Sequence, residues 1–483
     1  MITLSNNFKI KINKILLIVI IGLIVGTLSI FLSFLLEQLI ESGIRFYYVL
    51  AALASIVGSV LLFFLSFYKI EWAVAVFIIS LPIISRLKTL FLPTIGPFEI
   101  SIETIFLIIL LFAWFTKIVV NKQKIIKEPL GIWITFFFLI GLISIFSARY
   151  PLESSRVLFA GVIEPVIFYY ILINNIRNQK SIKLVICALI FSICIASGYS
   201  FFQLFSKAGF SSHGILEYRL PSVYYNPNIF AESLILTIPL LFMGIISQIF
   251  SSKWRKFTLF VLLVSLFALM MTYSRGAIVA LAVSILFLLI KNAKLRKLVY
   301  KMIPLIILIL VLQWSLISNI FLRRLPTAAY LAGPNAIIER LYGWEGSLAM
   351  MKDHFLTGIG LEMFKYNYPQ YMVSKATIHL EGTHNLYLDI AIAMGVFGLI
   401  FFLIILGISI KKCFPLTKTK NFFIKDTSLA LSASLIGYST IALFMGELAH
   451  KHMFTNMLLL WTIIGLIIVL DRHKKILEKQ KLL

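Results

Sequence analysis

Charge is scarce in this 483-residue chain: charged side chains make up 13% of it, against 60% apolar residues. That balance excludes a soluble globular domain. Acids are the scarcer sign, with 20 Asp and Glu against 44 Lys and Arg, a formal net charge of +24. In a soluble protein such an excess points to nucleic acid. Here the basic residues sit mainly in short loops between apolar runs, which is a topological signal, and no nucleic-acid partner is expected. Cysteine is nearly absent. Cys187, Cys194 and Cys413 cannot build a disulfide framework, and the first two fall inside one apolar run, where they read as packing. The chain also lacks a glycine-rich nucleotide loop and the acidic pair of a retaining glycosidase.

What is abundant is hydrocarbon. Mean hydropathy is +0.99, and many separate runs reach the ~20 residues that cross a bilayer. Lys9, Lys11 and Lys14 precede an apolar run over 15–36, too long for a signal-peptide core and without a small-residue cleavage site, so it reads as a retained first span. Further spans are expected near 46–67, 72–84, 100–120, 131–147, 157–173, 182–205, 229–250, 257–273, 276–290, 299–321, 385–410, 428–446 and 453–470. The fold class is therefore an all-α polytopic membrane protein with about 12–14 transmembrane helices. With the N-terminus inside, most Lys and Arg fall on the cytoplasmic side, including Lys253, Arg255 and Lys256, then Lys411 and Lys412, then Arg472, Lys474 and Lys475. The segment 322–383 is then a helical extracytoplasmic loop.

That loop belongs to the longest polar stretch of the chain, Arg340 to Gly395. Within it Ile337, Leu341, Trp344, Leu348, Met351 and Phe355 recur in steps of four and three. The spacing predicts an amphipathic helix starting after Gly333-Pro334-Asn335, its apolar stripe packed on a bundle or the membrane, with Gly358 and Gly360 as its stop. Arg340 lies off the stripe beside Glu339, as a solvated surface arginine or a functional one. Phe364, Tyr366, Tyr368 and Tyr371 suit sugar stacking or an interfacial aromatic belt. Upstream, Asn226-Pro227-Asn228 reads as a turn and helix cap, and Glu232 one turn later must face a watery cavity or pair with a cation. Arg275, in Ser274-Arg275-Gly276, sits between two apolar runs with almost no loop; it either snorkels to headgroups or offers a planar fork for phosphate. Asp389, five residues after His384, reads as a structural polar contact. Glu447, His450 and His452 cluster at another helix end but lack a second ligand set, so no metal site is expected.

Asn226-Pro227-Asn228, Ser274-Arg275-Gly276-Ala277, Arg340-x3-Trp344, Asp353-His354-x3-Gly358-x-Gly360 and His384-Asn385, in that order, resemble the O-antigen ligase family. Ten residues separate His384 from Gly395, as in the His-x10-Gly spacing of the family's motif. The resemblance is best over about 220–405 and does not separate ligase from polymerase well. It implies a GT-C-like membrane glycosyltransferase divided into a bundle at 1–205, a catalytic region at 206–410, and C-terminal helices with a basic tail at 411–483.

It further implies an inverting transfer of a glycan from undecaprenyl diphosphate to an acceptor hydroxyl, with no metal, nucleotide or other cofactor. The acceptor would be lipid A–core or another glycan, and the location the bacterial cytoplasmic membrane with the site facing the periplasm. His384 would be the general base; Arg275, Arg340 and Arg219 would bind the diphosphate; Asn385, Gly395, Asn226, Asn228, Glu232 and Trp344 would support them. A polysaccharide polymerase and an O-linked protein glycosylation ligase remain alternatives within the same class. A lipid-linked oligosaccharide flippase is the alternative from another class, although the internal repeats common among transporters are not evident.

Overall fold

The computed structural model describes chiefly residues 46–87, 101–206, 218–247, 249–297, 336–446 and 454–480, with Tyr225 excepted. The expected spans at 15–36 and 299–321, the Gly333-Pro334-Asn335 turn and the Glu447, His450 and His452 cluster lie outside the described residues. Residues 1–64 group apart from 65–483, and the site lies wholly in the second group.

The described architecture is helical, relieved only by two ribbons with two residues in each strand. The helices are α1 (Phe46–Tyr68), α2 (Ile70–Leu87), α3 (Ile102–Asn121), α4 (Gly131–Ile145), α5 (Pro151–Leu158), α6 (Glu164–Asn175), α7 (Gln179–Ser206), α8 (Pro227–Ile246), α9 (Ser252–Met271), α10 (Arg275–Lys291), α11 (Ala336–Asp353), α12 (Phe364–Tyr371), α13 (Leu386–Thr417), α14 (Phe422–Ile441) and α15 (Phe454–Lys479). Seven stretches are long and apolar enough to cross a membrane, and Ile56–Tyr68, Ile70–Ser85 and Gly131–Ile145 are shorter apolar helices. The chain is an all-α polytopic membrane protein. Pro165 has no N–H to donate, and a π-turn at Phe159–Ile163 carries α5 into α6 as one spanning rod.

α8 and α15 form the centre of the bundle, with 83% and 89% of their apolar windows buried, whereas α9 buries 33% and faces outward. Polar contacts pin the ends of the central pair. Asn456 near the start of α15 donates from Nδ2 to the Ile229 carbonyl at 2.9 Å and to Glu232 Oε2 at 2.8 Å. Buried Glu232 is thus held by a neutral amide. At the other end of α15, Arg472 donates to the carbonyls of Ile173 at 2.8 Å and Ile176 at 2.6 Å, satisfying carbonyls at the C-terminal end of α6.

The polar segment 336–385 folds into a cap with its own small core. Met350, Ile359, Met363, Phe364, Tyr368 and Leu380 pack together and onto Ile392 of α13. Phe364 and Tyr368 stack on each other at 4.9 Å inside this core. Neither ring is available to a sugar, which corrects the stacking reading for these two residues. α11 is described from Ala336, and the face it packs on the protein is not the apolar stripe, whose other expected place is the membrane. Leu341, Leu348 and Phe355 of the apolar stripe are 53%, 47% and 46% exposed. The buried face is Glu339, Gly343, Gly346, Ser347 and Met350. Small residues let α11 close against the chain: a Cβ on Gly346 would lie 2.6 Å from the Tyr371 carbonyl oxygen.

α11 also ends at Asp353, five residues before Gly358, so the glycines do not stop it. They build a clasp. α13 breaks at Gly395, whose φ of 68° and ψ of −178° lie in a region open essentially to glycine alone. The break frees the carbonyls of Ile392 and Ala393, and these accept from Ile359 N at 2.9 Å and Gly360 N at 3.0 Å. The freed Val396 N donates to the Phe355 carbonyl at 2.9 Å. Two motifs far apart in sequence therefore interlock through main chain, and a Cβ at Gly395 would strike the Leu356 carbonyl. Gly395→Ala is expected to lower the melting temperature of the purified protein sharply. The backbone conformation alone costs a non-glycine residue roughly 1–3 kcal/mol, before the collision is counted. Gly407→Ala in the second half of α13, where a Cβ meets nothing within 4 Å, should melt at or above the wild-type temperature. Equal melting of both variants would refute the clasp.

Candidate active site

Local chemistry sets the position of His384. Asn385 is the N-cap of α13: its extended backbone and its Oδ1, which accepts from Tyr387 N at 3.0 Å and Leu388 N at 3.3 Å, leave no capping task for His384. His384 itself adopts a left-handed φ of 53°, a conformation that is costly for a residue with a Cβ. Its neighbours hold it there. Thr383 donates from N to Asp389 Oδ1 at 3.2 Å, and its hydroxyl lies 2.5 Å from the same oxygen and 2.8 Å from the Asn385 carbonyl. The Thr383 carbonyl accepts from Trp344 Nε1 at 2.9 Å. Asp389 is thus a structural contact whose product is the position of the imidazole.

The Arg340-x3-Trp344 spacing now has a reason. One turn apart on α11, Trp344 fixes the histidine turn while Arg340 brings its charge to the same place. Glu339 is not engaged there; it accepts from Thr377 N at 3.1 Å, Thr377 Oγ1 at 2.6 Å and Ile378 N at 3.3 Å. Burial raises the Glu339 pKa, but these hydrogen bonds outweigh it and hold the carboxyl below its ordinary value. Glu339 ties the cap together and leaves Arg340 to the site.

Arg219 completes the cluster. It donates from Nε to the Thr272 carbonyl at 2.8 Å and from Nη2 to Asn228 Oδ1 at 2.6 Å. Asn228 sits in the first turn of α8, which Asn226 caps by accepting from Asn228 N at 2.8 Å. Burial first, and then the like charge of Arg340, lowers the Arg219 pKa to about 10, so it stays cationic at neutral pH. The same two causes in the same order lower the His384 pKa to about 4. The imidazole is therefore neutral at pH 7, a free base near the Arg340 guanidinium. Arg275 stands exposed at the first position of α10, three residues beyond Thr272. A Cβ on the next residue, Gly276, would lie 2.7 Å from Phe444 Cβ, which seats this turn against the connection after α14.

The structure thus brings His384, Arg340, Arg219, Trp344, Asn385 and Asn228 to one end of the bundle. Gly395 lies beneath them as the clasp, and Glu232 is one turn deeper in α8. Residues 260–403 match the O-antigen ligase family. This segment is similar to the O-antigen ligase family. The match contains Arg275, Arg340, His384 and Gly395, while Arg219 and the start of α8 lie before it. No curated protein matches the chain. The match supports a membrane glycosyl-transfer function of the O-antigen ligase and polymerase type, with lipid-linked glycan and an acceptor as the general substrates.

Thr383 and the Thr272 carbonyl hold members of this cluster in place and were passed over by sequence reasoning. Thr383 stands beside the histidine in the motif and was within reach. The carbonyl has no sequence signal, because any residue carries one. The docking of the matched segment on α5 was likewise hidden: Leu361 N donates to Ser154 Oγ at 2.9 Å, and Lys365 Nζ bridges Glu153 at 3.1 Å and Glu362 at 2.9 Å.

Proposed function

We propose that this protein moves a glycan from undecaprenyl diphosphate to an acceptor hydroxyl at the outer face of the bacterial cytoplasmic membrane. The observation that carries the reading is a half-buried, neutral His384 near the Arg340 charge, which in turn lies near Arg219, at one end of an apolar bundle. The acceptor oxygen attacks the anomeric carbon, and the bond from that carbon to the diphosphate oxygen breaks with its electron pair. The acceptor proton passes to the imidazole of His384, which later releases it to water. Negative charge grows on the departing diphosphate, and Arg340 and Arg219 stabilise it in a site of low dielectric, with Arg275 at the mouth. Attack from the face opposite the leaving group inverts the anomeric centre.

The basic residues support this orientation. Lys412, Arg472, Lys474 and Lys475 gather at the far end of the bundle from His384, as a cytoplasmic face requires. Deletion of the gene should alter the envelope glycan. Loss of polymer from its acceptor with lipid-linked polymer accumulating is the outcome for a ligase attaching O-antigen to lipid A–core. A single repeat left on the acceptor is the outcome for a polymerase. An unchanged envelope glycan contradicts both.

A further inference from the structure

At the end of the bundle away from His384 there is a cavity of about 500 Å³ lined by Gln123, Lys124, Ile126, Arg177, Arg472 and Ile476, together with Asn121. Its wall carries three cations and no acid. The two arginines donate to uncharged main chain: Arg472 to the Ile173 and Ile176 carbonyls, and Arg177 from Nε to the Asn174 carbonyl at 3.0 Å. Lys117 adds a further like charge towards Arg177 and is itself opposed by Glu71. Holding two guanidinium groups together in a partly dry cavity is unfavourable until an anion joins them.

A neighbouring cavity shows the contrast. It gathers Lys411, Lys412, Lys474 and Lys475, yet Asp471 pairs with Lys412 at 3.1 Å and Lys475 at 3.0 Å, and Glu478 pairs with Lys474 at 3.4 Å. That cavity is partly neutralised from within by two carboxylates, and the first has no acid in its lining. The surroundings also name the ligand's other half. Val119 and Val120 on the last turn of α3, and Ile125 and Ile476 at the rim, are 60%, 43%, 54% and 41% exposed. A cationic cavity that borders exposed apolar side chains at the end of membrane-spanning helices matches an amphiphile with a phosphate head and hydrocarbon tails.

We propose that this cavity binds the phosphodiester headgroup of an acidic phospholipid. The proposal does not depend on the glycan-transfer reading. Its test uses the purified full-length protein in mild detergent, titrated with phosphatidylglycerol or phosphatidylethanolamine and followed by native mass spectrometry. One phosphatidylglycerol should be retained, and phosphatidylethanolamine should bind far more weakly. Lys124→Gln combined with Arg177→Gln should weaken phosphatidylglycerol roughly 30-fold, the sum for two basic side chains at a membrane surface. Lys124→Glu alone, which leaves the Arg177 bond to Asn174 in place, should also weaken it and so controls for misfolding. Equal retention by the variants and the wild type overturns the proposal, as does equal binding of the two lipids. Displacement of the lipid by glycerol phosphate at matching concentration would assign the cavity to soluble phosphates and overturn the lipid reading.

Discussion

Arg340→Gln should lower glycan transfer by ~10²–10³, the usual loss when one preorganised charge partner of a developing anion is removed. It should also move a pH profile in a direction that a merely structural arginine would not. Burial and the Arg340 charge hold the His384 pKa at about 4 in the free protein. The base form is therefore present at neutral pH and is lost only as pH falls through that value. Removing the Arg340 charge raises the pKa towards its ordinary ~6.5, with burial still opposing the rise. The acid limb of kcat/KM should accordingly shift to higher pH in Arg340→Gln. Donor binding in the wild type acts the same way, because diphosphate cancels the arginine charge; the acid limb of kcat should lie above that of kcat/KM. Arg340→Lys keeps the charge but loses the planar fork, and its rate should fall ~10–100-fold with little movement of the limb. A normal rate and an unmoved limb in Arg340→Gln would remove Arg340 from the site.

Much of this was legible because hydrocarbon runs and short-range capping are local signals. The spanning helices follow the apolar runs, and the Asn226 cap is where Asn-Pro-Asn predicts it. α11 presents two faces, and only the apolar stripe was visible in the sequence. Helical periodicity was scored on large apolar residues, whereas close approach of main chain selects small ones, and Gly343, Gly346 and Ser347 carry the same period. The roles of Gly358, Gly360 and Gly395 were equally out of reach. A stop signal and a clasp both ask for glycine, and only the pairing of Ile359 and Gly360 with the opened α13 carbonyls tells them apart. In the candidate site, His384 and Arg340 were readable as motif residues. That Trp344 and Asp389 grip the two ends of Thr383 was not, since it depends on a turn folding back on its own helix.

The second large effect is expected at His384 itself. Removing a general base typically lowers the rate ~10²–10⁴-fold. The competing explanation, that His384 only caps α13, has lost its place because Asn385 fills that role. Folding should survive the change. Thr383, Asp389 and Trp344 hold the turn through groups that a substitution at 384 leaves intact. Two variants guard against a trivial loss. His384→Ala removes the ring, and His384→Asn supplies a residue that tolerates the left-handed backbone but cannot act as the base. Both should insert and melt near the wild type, and both should still bind the lipid-linked donor through the arginines.

The most direct measurement follows undecaprenyl diphosphate released and glycan transferred, with purified protein, lipid-linked donor and acceptor reconstituted in proteoliposomes. The wild type should release one diphosphate carrier for each glycan transferred, and both His384 variants should release almost none while retaining the donor. A well-folded His384→Ala protein that turns over at close to the wild-type rate would contradict the account, because no base would then act at this position.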